Sequence, residues 1–290
     1  MRTIVVIGSI NTDLVVVAPR LPREGETVLG RDYRVVCGGK GANQAIAAAR
    51  FGGRVHMVGC VGDDEYGRTA KANLAEHRVG VRAIRTVRGP TGVALIVVDE
   101  RGRNLIAVAP NANAKVRVPR RPFDVVVMQL ETPFAMPRAR LFILNPAPAN
   151  FDALRRGVAA RDARRPLSGV HVIVPNEHEA QELTGQTRPE RAARALRRMG
   201  AEWPIITLGE QGVFDTRANG GRGGVRPAFK VRATDTVGAG DAFVGAFAAA
   251  VADGHADPIA FAQAAAALKC TRPGAQNLPT RHAVERLLTT

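Results

Sequence analysis

Short runs of β-branched and apolar residues alternate along this 290-residue chain with alanine-rich stretches of helical period, and that alternation limits its fold more than any other feature. Strand-like runs cover Thr3 to Gly8, Val55 to Gly59, Val125 to Gln129, Leu141 to Leu144, Val172 to Val174 and Pro204 to Leu208. Helical stretches cover Ala42 to Phe51, Glu65 to His77, Glu177 to Leu183, Pro189 to Met199, Ala239 to Ala252, Pro258 to Cys270 and Thr280 to Leu288. The pattern predicts a mostly parallel sheet with helices on both faces, since parallel neighbours need a crossover and a helix supplies it. The length suits one α/β domain over residues 1–290.

Four segments break the alternation. Leu14 to Val17, Arg31 to Val36, Gly92 to Val98 and Asn104 to Val108 have no helix between them, and Asp99 to Arg103 has the composition of a hairpin turn. They predict a small antiparallel sheet, within residues 13–37 and 91–109, that projects from the body. A lid over a water-sensitive site is one reading, and decoration of the fold is the other.

Composition removes several classes. The apolar runs Ile4 to Ile7 and Val125 to Met128 are too short to span a bilayer, so no membrane partner and a cytoplasmic location are expected. Cys37, Cys60 and Cys270 form no CxxC pair and predict reduced, packed thiols instead of a disulfide or zinc framework. A net charge of +15 raises nucleic acid as a partner, but the arginines are dispersed and only 4% of residues are aromatic. The richest stretches, Arg117 to Arg121, Arg155 to Arg165 and Arg191 to Arg198, fall on loops or polar helix faces, so solvated surface is expected and nucleic-acid binding is not.

The chemistry lies in Asp235-Thr236-Val237-Gly238-Ala239-Gly240-Asp241, which runs directly into the apolar stretch Ala242 to Val251. A Gly-Ala-Gly turn at a helix start aims backbone N–H groups outward and adds the helix dipole, a cradle for an anion. Asp241 beside such a cradle is costly unless it has a task, such as taking a proton from an attacking hydroxyl. The plainer reading is a helix cap. A second glycine-rich run, Gly38-Gly39-Lys40-Gly41-Ala42-Asn43-Gln44, lacks the Walker A spacing, and Gly8-Ser9-Ile10-Asn11-Thr12-Asp13 lacks GxGxxG. Asn11 and Asp13 offer an amide and a carboxylate, which suit a polyhydroxylated ligand better than a pyrophosphate.

With both long signatures in this order, the chain resembles the ribokinase family of carbohydrate kinases nearly end to end. Thr91 to Ala94, Asn111 to Ala114, Leu130 to Pro133, Asn145 to Pro148, Pro175 to Glu177, Thr207 to Gly209 and Gly274 to Gln276 add to the likeness. The resemblance implies a three-layer α/β sandwich with a mostly parallel central sheet, a small antiparallel β-sheet lid and a homodimer formed through the lid. It implies ATP-dependent phosphorylation of D-ribose at the 5-hydroxyl, with Mg²⁺, and with K⁺ as activator. Kinases of the same family acting on 2-deoxyribose, another sugar or a nucleoside remain as alternatives, as does an inactive sugar-binding protein.

By the same resemblance Asp241 is the general base, and Gly238, Ala239 and Gly240 form the anion hole. Asn11, Asp13, Gly39, Lys40, Asn43 and Glu131 hold the sugar; the plainer roles are a solvated surface lysine for Lys40 and a helix-start carboxylate for Glu131. Asn176, Thr207, Gly209 and Gln263 contact the nucleotide, and Glu179 organises Mg²⁺ through water; Asn176 and Glu179 also read as a capping box. Asp235, Val237 and Gly274 surround the K⁺, although Lys269 brings a positive charge to that loop and Leu278 replaces a hydroxyl. The connection Thr132 to Arg140 is short for a parallel crossover and contains Pro133 and Pro137, which predicts an uncovered sheet face or an extended loop there.

Overall fold

The computed structural model describes residues 2–157 and 165–289, so residues 158–164 of the second arginine-rich stretch lie outside the described residues. The chain opens with β1 (Thr3–Ile7), β2 (Asn11–Ala18), β3 (Asp32–Gly38), α1 (Lys40–Arg50), β4 (Arg54–Gly62), α2 (Glu65–Glu76) and β5 (Gly80–Val87). The hairpin of β6 (Gly92–Asp99) and β7 (Asn104–Ala109) precedes β8 (Phe123–Met128), β9 (Ala139–Leu144), α3 (Phe151–Gly157), β10 (Val172–Ile173), α4 (Glu177–Thr184), α5 (Pro189–Arg198) and β11 (Trp203–Thr207). After β12 (Val213–Asp215), the single turn α6 (Ala218–Gly221) and β13 (Gly224–Arg226) come α7 (Ala239–Asp253), α8 (Pro258–Cys270) and α9 (Arg281–Leu288).

Among the described residues nine strands form the central sheet in the order β13-β12-β11-β10-β9-β8-β1-β4-β5, parallel from β11 to β5 with an antiparallel edge at β12 and β13. Helices pack on both faces, as parallel sheets require. Ile4 and Val6 of β1 enter a core with α1, α7 and α8, while Val5 and Ile7 enter the opposite core with α4 and α5. Every strand and helix the sequence predicts is present to within a few residues. β5 escapes the apolar pattern because it is an edge strand whose single buried side chain is Ile84.

The lid sheet has the order β3-β2-β6-β7. Its outer pairs are antiparallel, but β2 and β6 at its centre run parallel, since both leave the central sheet in the same direction and the hairpins only add the flanks. Asp99 closes the β6–β7 turn by accepting the N–H groups of Arg101 and Arg103, each at 2.9 Å.

The β8–β9 connection contains no helix, yet the strands pair in parallel register. It is an extended loop whose Phe134 stacks on Phe142 at 6.3 Å and whose Met136 packs on the same core. Beside it an open cavity of about 780 Å³ remains over Val5, Phe123 and His171, so both expectations for this segment are met in part.

Small residues bring α1 and α7 together. A Cβ on Gly245 would lie 2.5 Å from Ala47 Cβ and 2.7 Å from the Gln44 carbonyl oxygen, and one on Gly41 would lie 2.6 Å from the Ser9 nitrogen. Side chains of ordinary size would hold these helices apart and separate their N-termini. Gly245→Val should therefore overpack this contact and lower unfolding free energy by about 1–3 kcal/mol in chemical denaturation.

Candidate active site

Chain order reverses at β1, which has β4 on one side and β8 on the other, and α/β sheets bind ligands outside the carboxyl ends of strands at such a point. Here those ends carry Ser9, Asn11 and Glu131. Gly39, at φ 92°, turns the chain from β3 into α1; a Cβ there would lie 2.8 Å from the Asn11 nitrogen. Lys40 then starts α1 with its N–H donated to Glu131 Oε2 at 3.1 Å, and the Ser9 hydroxyl donates to the same oxygen. Glu131 thus meets the positive end of α1 from across the sheet; no helix starts at Glu131 itself. Asn11 is buried and accepts from Asn113 Nδ2 at 2.7 Å.

Gly238, at φ 77°, performs the matching turn into α7, pressed so closely on Ala275 that a Cβ would lie 2.8 Å from its Cα. The Ala239 N–H closes this turn onto the Thr236 carbonyl at 3.1 Å and Ala242 bonds the Gly238 carbonyl, so Ala239 is not a free donor. Among the described residues, Gly238, Gly240 and Asp241 keep N–H groups without a protein acceptor, which is how a helix N-terminus leaves its first donors. Of the expected donors Gly238, Ala239 and Gly240, the Ala239 N–H is thus engaged within the turn, and the Asp241 N–H joins Gly238 and Gly240 as a donor open to an anion at this helix start.

Asp241 is held by both carboxylate oxygens. Asn43 Nδ2 donates to Oδ2 at 3.1 Å and Gln44 Nε2 to Oδ1 at 2.9 Å. Gln44 is fully buried, donates also to Asn145 Oδ1 at 2.9 Å, and accepts from Gln129 Nε2 at 2.6 Å. Gln44, Asn145 and Ser9 are site residues that sequence reasoning did not assign. For Gln44 the available signal was a polar side chain on the buried face of an alanine-rich helix, which requires a partner.

A cleft of about 210 Å³ lies between the two helix N-termini, lined by Lys40, Asn176, Glu179, Thr207, Gly240 and Asp241. Burial pulls the Lys40 ammonium pKa down, but Asp241, Glu131, Glu179 and Asp13 outweigh it and hold it above the usual lysine value. Burial, with Glu131 and Asp241 nearby, pushes Asp13 up to about 6 against the pull of Lys40. Asp241 is raised by burial despite Lys40, Gln44 and Asn43, and Glu179 is raised by burial despite the Asn176 N–H and Lys40. One ammonium thus balances four crowded carboxylates.

Asn176 and Glu179 form a complete capping box at α4, with bonds of 2.8 and 2.9 Å, and line the cleft as well. Only one Glu179 oxygen is spent in that box, so the other fits a hydrated divalent cation next to phosphate. Among the described residues no group of three His, Cys, Asp or Glu side chains could hold a metal without such help. Gly209 is exposed beyond Thr207. Gln263 is spent internally, donating to the Arg226 and Pro227 carbonyls at 3.0 Å each, and does not line the cleft.

The K⁺ site expected around Asp235, Val237 and Gly274 does not fit. Lys269 is fully buried, and its Nζ donates to the Asp235 and Arg272 carbonyls at 3.0 and 3.2 Å. Both Asp235 carboxylate oxygens already accept N–H groups, from Val237 at 2.8 Å and Gly274 at 2.6 Å. Buried Leu278 offers no side-chain oxygen, and the expected contribution of Val237 is its backbone carbonyl alone.

The raised Asp13 pKa has a measurable consequence. With about 6 in the folded protein against 3.8 for a free carboxyl, the folded state prefers Asp13 protonated. That preference contributes fully below pH ~4 and is lost as pH rises through ~6, above which the ionised group opposes folding. Asp13→Asn should therefore be more stable than the parent protein at pH 7.5 by about 1–3 kcal/mol, the gain fading as pH falls from 6 to 4 in melting experiments.

The site can be set beside known proteins. The sequence pattern of the pfkB family carbohydrate kinases matches residues 1–131 and 139–281, broken at the helix-free connection. A ribokinase of Haemophilus influenzae is 38% identical, with 97% of this chain and 96% of that one covered. In structure, a ribokinase from Thermotoga maritima superposes with a TM-score of 0.84 at 31% identity, covering 100% of both chains. Arabidopsis thaliana ribokinase, solved with ribose and ATP, gives 0.80 at 27% identity over 100% of this chain and 99% of that one. Two convergent helix N-termini, a tethered aspartate between them and these likenesses lead to one conclusion: the chain belongs to the pfkB family of carbohydrate kinases.

Proposed function

We propose that this protein transfers the γ-phosphoryl group of ATP to the 5-hydroxyl of D-ribose. The observation that carries the reading is the Asp241 carboxylate, fixed by Asn43 and Gln44 beside the unpaired N–H groups of the 238–241 turn and on the cleft that Lys40 also lines. A carboxyl raised by burial is a stronger base than a free one, and it takes the hydroxyl proton as the oxygen attacks. The Gly238, Gly240 and Asp241 N–H groups and the Lys40 ammonium stabilise charge on the group in transfer. Mg²⁺, when bound, neutralises phosphate charge through water held by Glu179, with Asn176, Thr207 and Gly209 along the nucleotide side. Gln263 serves that side indirectly by fixing the chain at Arg226 and Pro227.

Asn11, Asp13, Gly39, Lys40, Asn43 and Glu131 hold the sugar. Asn11 and Asp13 begin β2, so lid movement and sugar binding are mechanically linked, and the whole works as a single domain. The lid leaves Tyr33, Val35, Leu95, Leu105, Ile106 and Val108 exposed, an apolar sheet surface that a second copy of the chain covers in a homodimer. A cytoplasmic location belongs to this reading and agrees with three free cysteines; no helix among the described residues is long and apolar enough to cross a membrane.

Acceptor-dependent ADP release from MgATP tests the proposal, with ribose, 2-deoxyribose, adenosine and fructose 6-phosphate compared at matched concentration. Ribose should lead by roughly tenfold or more in kcat/KM over an acceptor lacking a hydroxyl that the site binds. Preference for another acceptor would replace ribose, and no turnover by folded protein would reject catalysis. Asp241→Asn should remove most of kcat, by about 10²-fold or more, with the ribose KM nearly unchanged. Asp13→Ala should act mainly on KM.

A further inference from the structure

The loop beneath the anion hole carries a charge that catalysis, as derived above, does not use. Lys269 stands in the last turn of α8, where a cation also favours the helix dipole, and its side chain has 0% exposure. A buried ammonium is costly unless its donors are met, and here two of the three are met by carbonyl oxygens with a carboxylate oxygen close by. Two go to the Asp235 and Arg272 carbonyls at 3.0 and 3.2 Å, and the Asp235 carboxylate oxygen Oδ2 lies 3.9 Å away. Backbone carbonyls supplemented by a carboxylate are the ligands a monovalent metal ion would take.

This ammonium joins two loops that both touch the anion hole. Asp235 leads through Val237 to Gly238, and Arg272 leads to Ala275, the residue on which Gly238 is pressed. Thr234 and Asp235 N–H groups donate to the Cys270 carbonyl at 2.7 and 3.0 Å, and the Gly274 N–H returns to Asp235 at 2.6 Å. Remove the positive charge and two carbonyls and a carboxylate face one another with no counter-charge, two residues short of the turn that must hold its N–H groups in place.

The geometry points to Lys269 as a resident cation, tethered to the chain, that does the work of an activating monovalent ion by fixing the 235–238 loop under the anion hole, so that turnover is independent of K⁺. Lys269 touches no substrate and is a positioning residue. The inference rests on the reading of the 238–241 turn as the anion hole of a phosphotransferase. It makes the K⁺ requirement implied by the family resemblance obsolete in this chain, because the ion's charge is supplied from within.

The test compares turnover and melting temperature in tetramethylammonium, sodium, potassium and ammonium chlorides at equal ionic strength. The parent protein should turn over equally, within about twofold, in all four. Lys269→Ala should lose on the order of tenfold or more in kcat in tetramethylammonium chloride, at unchanged ribose KM, and regain activity with K⁺ or NH₄⁺, which enter the vacated space. Lys269→Met, which fills that space without charge, should show the loss and no rescue. Activation of the parent protein several-fold by K⁺ would overturn the inference, and so would Lys269→Ala working normally without a small cation. Should neither variant fold, the cation response of the parent protein alone decides. Should the parent protein turn over no acceptor, the proposed function fails while melting still tests Lys269: K⁺ or NH₄⁺ must stabilise Lys269→Ala and not the parent, and an equal response of the two rejects the role.

Discussion

Close contact between α1 and α7 is the constraint on which the site depends. Gly245 lies against Ala47 and the backbone near Gln44, and Gly41 lies against the end of β1, so two helices approach each other and the sheet at backbone distance. Their N-termini then open on one cleft. From the first turns of α1, Asn43 and Gln44 reach the Asp241 carboxylate in the first turn of α7, a geometry that a single larger side chain at the helix contact would undo. Packing, not local capping, places the Asp241 carboxylate: neither α1 nor α7 has a side-chain cap of its own.

Convergence also concentrates charge. Asp13, Glu131, Glu179 and Asp241 share the surroundings of a single lysine, and burial raises the pKa of three of them. Such a cluster opposes folding at neutral pH and is retained because charged groups that are poorly solvated act more strongly on a bound ligand. Around Asp235 the balance is different. There the carboxylate is saturated by N–H donors and a buried ammonium satisfies the carbonyls, which makes that loop a rigid support instead of a reactive surface. Stiff support under a crowded, strained cleft is the division of labour that this fold arranges.

Much of this was legible in the chain. Strand and helix positions followed from periodicity, and the glycines of the two signatures stand where φ is positive or where no Cβ fits, as at Gly39 and Gly238. Other features were hidden for identifiable reasons. β5 carries arginines on its exposed face and buries one isoleucine, so it has no apolar run to detect. The parallel pairing of β2 with β6 joins residues 81 positions apart, as Asn11 with Gly92, and has no turn to announce it. A local turn to Thr236 engages the Ala239 N–H, and sequence cannot tell which donors of a helix start are already spent in this way. Gln263 was placed by position on its helix, but the amide is satisfied internally at Arg226 and Pro227.

The sequence by itself determined the elements, their layering and the chemical types gathered in two glycine-rich turns, because periodicity, glycine backbone freedom and helix-start chemistry act over a few neighbouring residues. Tertiary structure decided the partners. Asp241 meets Asn43 across 198 positions, Ser9 meets Glu131 across 122, and Lys269 closes on Asp235 across 34, at the place where sequence reasoning expected a metal ion. Those choices depend on how closely two helices can pack and on which buried polar groups remain to be satisfied once they do, and both are properties of the assembled core.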